Sequence, residues 1–208
     1  MISFCDVQPL RDGHALHEPV NLTMKPGEIL CIIGASGVGK TSLLDAVRGQ
    51  IAYHGRIDNK GELFSVYQSD NQMFPWFSII KNFELAKCKN WQQWVEKWKL
   101  DHLLHKSPRE LSSGQRQRLV LIRALSTSAD LLLCDEPLNN LDSLGSKNIA
   151  QDFRDAIKQK KQTSAIWITH DLIEAKLIAD VTCVLTAQGL ITIPRDKINF
   201  EHVKQYLV

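Results

Sequence analysis

Eight consecutive residues, Gly34-Ala35-Ser36-Gly37-Val38-Gly39-Lys40-Thr41, fit the spacing G-x-x-x-x-G-K-[ST]. Residues of these types in this order bind phosphate. Glycines at 34, 37 and 39 let the backbone turn sharply and approach an anion. The N–H groups from Gly34 through Ser42, with the start of a following helix, then face that anion. Lys40 has the reach for β- and γ-phosphates, and the Thr41 hydroxyl suits Mg²⁺. A glycine-rich turn that binds nothing would not also set Lys-Thr at a helix start.

A second set of residues suits hydrolysis. Leu131-Leu132-Leu133-Cys134 reads as a buried strand that delivers Asp135 and Glu136 to its C-terminal end, where ligands of open parallel sheets bind. Adjacent carboxylates there are costly unless a cation or solvent compensates. Asp135 is placed to hold Mg²⁺, directly or through water. Glu136 is the candidate general base for an attacking water. His170 follows another apolar run, 165–169, and opens the segment His170-Asp171; a lone His after a strand is more often structural. Ser112-Ser113-Gly114-Gln115 leads into a helical run, 115–125, whose N-terminus exposes unpaired N–H groups. Taken alone, Ser112 is an N-cap. As an anion site it would be a second one, which a single nucleotide does not need from the same molecule.

The elements that must carry these residues alternate. Strands are expected at 2–7, 20–24, 29–33, 56–57, 63–68, 131–135, 165–169, 181–185 and 190–193. Helices are expected at 41–48, 115–125, 143–160 and 172–179, with a last one at about 200–207. This predicts an α/β fold: a phosphate-binding core with a mostly parallel sheet and an antiparallel N-terminal β portion. Between 69 and about 126 the pattern turns helical, at 78–87 and 91–98, and predicts a small inserted helical lobe. The chain then divides into a core, 1–68 and 127–208, and this lobe, within one domain. Trp91, Trp94 and Trp98 share one helix face and predict packing into the lobe. The basic run Lys158-Gln159-Lys160-Lys161 reads as a solvated helix end that complements the dipole.

The 208 residues carry a net charge of +2, with 23% charged and 44% hydrophobic residues, ordinary for a globular protein. No charge excess argues for nucleic acid. Cys5, Cys31, Cys88, Cys134 and Cys183 form no C-x-x-C pair, which argues against a disulfide framework or zinc site and for a reducing compartment. The start lacks a signal-peptide pattern. No apolar run approaches the ~20 residues that span a bilayer.

The order of motifs resembles the ATP-binding cassette (ABC) transporter ATPase family. The loop at 34–41, Leu111-Ser112-Ser113-Gly114-Gln115, the strand ending Asp135-Glu136-Pro137, Asn140-Leu141-Asp142 and Thr169-His170-Asp171 match in sequence order, and the second segment is specific to the family. The resemblance implies ATP and Mg²⁺ as ligands, with His170 at the γ-phosphate. Gln68, at a strand end, would touch the metal or the water. It implies a head-to-tail homodimer in which each ATP lies between one subunit's loop and the other's Ser112–Gln115, with Asp142 also at the nucleotide. It implies transmembrane permease subunits that receive segment 74–79, a solute-binding protein, and a place on the cytoplasmic face of the inner membrane. The Pro75-Trp76 form is similar to ATPases that power import of small solutes. The rival is a soluble ABC ATPase acting in DNA repair or translation, although the chain lacks a coiled coil, a tandem cassette or a basic extension. Two departures stand out. Ser113 replaces a glycine, and where the family stacks an aromatic on adenine this chain aligns Arg11, whose guanidinium plane can also stack.

Overall fold

The course of the chain is β1 (Ile2–Arg11), β2 (His14–Ala15), β3 (Val20–Met24), β4 (Ile29–Gly34), α1 (Lys40–Val47), β5 (Tyr53–Asn59) and β6 (Leu63–Val66). Three helices follow, α2 (Ile79–Leu85), α3 (Trp91–Lys97) and α4 (Ser113–Ser126). Then come β7 (Leu131–Asp135), α5 (Ser143–Lys160), β8 (Ser164–Ile168), α6 (Leu172–Ile178), β9 (Val181–Thr186), β10 (Gly189–Ile193) and α7 (Phe200–Lys204). The structure is a computed structural model and describes residues 2–67, 72–139, 141 and 143–206.

Six strands form the main sheet, in the order β10-β9-β4-β8-β7-β6. Every pairing is parallel except β9 with β10. The central strands are apolar on both faces, which explains their unbroken hydrophobic runs. In β4, Ile29, Cys31 and Ile33 face one apolar cluster, while Leu30 and Ile32 face the other. In β8, Ala165 and Trp167 alternate in the same way with Ile166 and Ile168. One cluster includes Leu43, Leu44 and Val47 of α1 with residues of β1 and β3. Helix α1 thus packs beside the antiparallel sheet of β2, β1, β3 and β5. The other cluster gathers α4, α5 and α6 and includes Phe153 edge-on to Trp167, ring centroids 4.8 Å apart.

Helices α2, α3 and α4 lie between β6 and β7, and their apolar residues continue this second cluster. Ser78 caps α2, accepting from the Lys81 N–H. Asn82 is 1% exposed; its Oδ1 accepts from the Phe74 N–H at 2.7 Å, and its Nδ2 donates to the carbonyls of Phe74 and Phe77. One amide therefore shapes the aromatic turn ahead of α2. The tryptophan face packs inward: Trp91 lies 4.9 Å from Phe83, and the Trp98 Nε1–H donates to Asp152 Oδ2 at 2.9 Å.

Four details differ from the expectation. β1 runs on to Arg11 and pairs with the two-residue β2. The strand expected at 56–57 extends over Tyr53–Asn59. α7 ends at Lys204. The basic run is not simply solvated, because the end of α5 lies against two turns whose carbonyls its lysines reach. Lys158 Nζ donates to the Gly27 carbonyl at 2.9 Å and pairs with Asp180, and Lys160 Nζ donates to the Thr127 carbonyl at 3.0 Å. Burial lowers the Lys160 pKa. Asp180 also accepts from the Ile29 N–H and pairs with Arg154, both at 2.9 Å. Among the described residues no helix is long and apolar enough to cross a membrane.

Candidate active site

The phosphate loop starts where β4 passes β9. A Cβ at Gly34 would sit 2.6 Å from the Leu185 carbonyl oxygen, so only glycine fits that crossing. Gly39 takes φ 103 at the N-cap of α1, a left-handed conformation that penalises other residues. A Cβ there would also press on His17 at 3.3 Å. His17 is 5% exposed and packs against the loop; its Nδ1 meets the Glu18 carbonyl at 2.8 Å, and its Nε2 has no hydrogen-bond partner among the described residues. Lys40 Nζ donates to the carbonyls of Gly34 and Ala35 at 2.9 and 2.8 Å. Burial lowers its pKa, against the pull of Glu136 and Asp135.

Asp135 and Glu136 leave the end of β7 toward this loop. Asp135 Oδ2 accepts the Thr41 hydroxyl at 2.8 Å. Burial raises its pKa, the Thr41 hydrogen bond and Arg48 oppose this, and the Glu136 charge adds to the rise. A carboxylate held in this way is improved by a cation. Magnesium prefers one or two protein oxygens plus substrate phosphates, and the adjoining Thr41 and Asp135 oxygens fit that donor set. Glu136 has φ 45, and its N–H donates to the Ile168 carbonyl at 3.0 Å. Its Oε2 accepts from Asn139 Nδ2, and its Oε1 lies 3.3 Å from His170 Nδ1. His170 itself is 64% exposed.

These groups share one cleft of about 400 Å³, with Gly34, Ser36, Gly37, Gly39 and Ser42 on its loop side. Arg11 and Leu16 complete the wall, so the β1–β2 turn that sequence reading did not foresee is what brings Arg11 to the loop. Ser112, Ser113, Gly114 and Gln115 do not line the cleft. They form a capping box at the start of α4: Ser112 Oγ accepts from the Gln115 N–H at 3.2 Å, and Gln115 Oε1 accepts from the Ser112 N–H at 3.0 Å. Gln68 and Asp142 lie outside the described residues.

Sequence reading passed over Asn139 and Glu174 and did not place His17 beside the loop. Asn139 stands three residues past Glu136, and Glu174 three past the α6 cap Asp171; those offsets were the only signal in the sequence. Glu174 is buried, bonded to Trp167 and Thr169, and desolvation pushes its pKa up to about 7.

Comparison with known proteins agrees with the geometry. Residues 17–139 match the ABC transporter family model. The chain is 34% identical over 187 residues to the aliphatic sulfonates import ATP-binding protein SsuB of Bacillus licheniformis, covering 82% of this chain and 72% of that one. It is 31% identical over 206 residues to the taurine import ATP-binding protein TauB of Shigella flexneri, covering 90% and 80%. Among solved structures, an inward-facing metal-chelate type ABC transporter superposes with TM-score 0.81 at 22% identity, covering 99% of this chain and 88% of that one. The ATP-binding cassette MJ0796, in a dimeric post-hydrolysis state with ADP and Pi, superposes with TM-score 0.78 at 21% identity, covering 91% and 96%. With its phosphate loop, paired carboxylates and histidine in one cleft, the chain belongs to the ABC transporter family and is an ATP-hydrolysing subunit of it.

Proposed function

We propose that this subunit powers import of a small anion through separate transmembrane permease subunits. Two relatives are named for import of aliphatic sulfonates and taurine, and a third, the nitrate transport protein NasD of Klebsiella oxytoca, for nitrate; these solutes share a compact anionic group, and that chemistry is the class assigned here. One observation carries the hydrolytic part: Lys40, Thr41, Asp135, Glu136 and His170 meet in one cleft. Lys40 and the loop N–H groups hold the β- and γ-phosphates. Thr41 and Asp135, with Gln68, hold Mg²⁺, which supplies charge neutralisation at the phosphates. Glu136 takes a proton from the attacking water, and His170 orients it. Phosphoryl transfer to water rests on positioning and charge.

The Ser112–Gln115 cap lies off the cleft, and the MJ0796 relative is a dimer. We therefore assign Ser112, Ser113, Gly114 and Gln115, with Asp142, to the nucleotide of a second subunit in a head-to-tail homodimer. Arg11 is assigned to the adenine. Segment 69–126 acts as the helical lobe that meets the permease from the cytoplasmic face of the inner membrane, and a solute-binding protein delivers the anion. The soluble DNA-repair or translation role has no support among these relatives.

The test reconstitutes the chain with its permease in vesicles and follows uptake of labelled sulfonate, taurine and nitrate. ATP-dependent uptake of one of them is expected. Glu136→Gln should abolish uptake and hydrolysis and still bind ATP. Turnover of Glu136→Gln near the wild-type rate would falsify the choice of base.

A further inference from the structure

The turn that presents His170 is anchored by a residue outside the cleft. Glu174, in the first turn of α6, is 8% exposed. Its carboxyl accepts the Trp167 indole N–H and the Thr169 hydroxyl. Those two residues bracket the end of β8, so the carboxyl ties that strand end to α6 across the turn carrying His170. The Asp171 N–H closes the same turn on Thr169 Oγ1 at 3.0 Å, and Asp171 Oδ1 accepts from the Ile173 N–H at 2.7 Å. A neutral carbonyl would satisfy an indole N–H at less cost than a buried carboxyl. The acid here also faces a cavity of about 290 Å³ that His170 lines as well.

We propose that Glu174 is a positioning residue for hydrolysis: it holds the Trp167–His170 turn in register with Glu136. The proposal rests on the reading of Glu136 and His170 as the hydrolytic pair. His170 Nδ1 lies 3.3 Å from Glu136 Oε1, so a small rotation of the turn breaks that contact. Among the described residues, the titratable and charged groups that face Glu174 are few. They are His170 and Asp171 on the adjoining turn, Lys147 of α5 across the shared cavity, and the thiols of Cys31 on β4 and Cys134 on β7. Desolvation pushes Glu174 up to about 7, against its two hydrogen bonds, so its charge changes near neutrality.

The experiment uses the 208-residue chain and the variants Glu174→Ala, Glu174→Gln and Glu136→Gln. Glu174→Ala is expected to lower kcat for ATP about tenfold and to leave KM within about twofold, because the turn loosens and the phosphate loop does not. Glu174→Gln keeps shape and acceptor, so kcat at pH 8 stays within about twofold of wild type. The kcat of the wild type bends near pH 7 and that of Glu174→Gln does not, because the acid that ionises there has gone. A side chain that only filled space would leave the pH profile unmoved. Wild-type kcat in Glu174→Ala, or the same pH profile in Glu174→Gln and wild type, overturns the proposal. Should Glu174→Ala fail to fold, the pH profile of Glu174→Gln decides alone. Glu136→Gln separates the two readings: if it hydrolyses normally the hydrolytic pair is wrong, and if it is dead while both Glu174 variants are silent, only the role of Glu174 falls.

Discussion

Arg11 occupies the cleft wall where an aromatic was expected, and its contribution is measurable. Arg11→Ala should weaken ATP binding by about 1 kcal/mol, the scale of one cation–π contact, and Arg11→Tyr should restore it. Titration calorimetry with ATP and with a base-free triphosphate checks this; an equal loss for both ligands would assign Arg11 to phosphate. Glu174 predicts a stability effect of definite sign. Its pKa rises from 4.5 to about 7 on folding, so the folded state holds a proton that the unfolded chain releases. The contribution is full below about pH 4.5 and is lost as pH rises to about 7, by at most about 1.4 kcal/mol per pH unit. Urea unfolding at stepped pH should show that slope in wild type and lose it in Glu174→Gln. The placement of Asp135 and Glu136 was legible because charge at the end of an apolar strand is costly until a cation or ligand offsets it. Lys40 was legible from the glycines spaced ahead of it. His17, Asn82 and Glu174 were not legible, since each acts through partners that only the folded chain supplies: a loop glycine, a turn of carbonyls and an indole.

Among the elements, β4, β7 and β8 announced themselves because two-sided burial writes a long apolar run. The second half of β1 did not. Gln8-Pro9-Leu10-Arg11 carries a proline that argues against a strand, yet tertiary pairing with β5 and β2 holds it. Helix α5 is fixed to the base of β4 through Asp180. Asp180→Ala removes acceptors from Ile29, Arg154 and Lys158 and should cost roughly 2–3 kcal/mol, read as a lower urea midpoint at constant m; a change under about 0.5 kcal/mol would mean the pairs are solvated. At α4, Ser112→Asp tests the composite site. Aspartate caps a helix as well as serine does, so thermal stability and ATP binding by the monomer should hold. The added charge should repel a phosphate across the interface and abolish the ATP-dependent dimer, read as mass by light scattering.

On the scale of the molecule, Phe74, Trp76 and Phe77 cluster at the surface with ring centroids 6.0 to 6.3 Å apart. Trp76 is 67% exposed. Exposed aromatic groups of this kind mark interaction sites. Trp76→Glu should leave the ATPase rate of the isolated chain unchanged and abolish membrane association in cells that express the permease, because it puts a charge into an apolar contact. Fractionation decides: wild-type protein found wholly in the soluble fraction would remove the docking role.

A regular strand sends successive side chains to opposite faces, so an unbroken β7 would have parted residues 135 and 136. The left-handed backbone at Glu136 (φ 45) ends that alternation, and both carboxylates open on one cleft. The consequence is a trade between stability and reach. Val, Ile and Thr are barred from position 136 by the backbone alone, whatever their chemistry. Asn, Asp and Gly suit the backbone better than glutamate does but lack its reach. Glu136→Asn should therefore raise the urea midpoint, and a lower midpoint would show that the contacts of Glu136 with Asn139 and His170 outweigh the backbone strain.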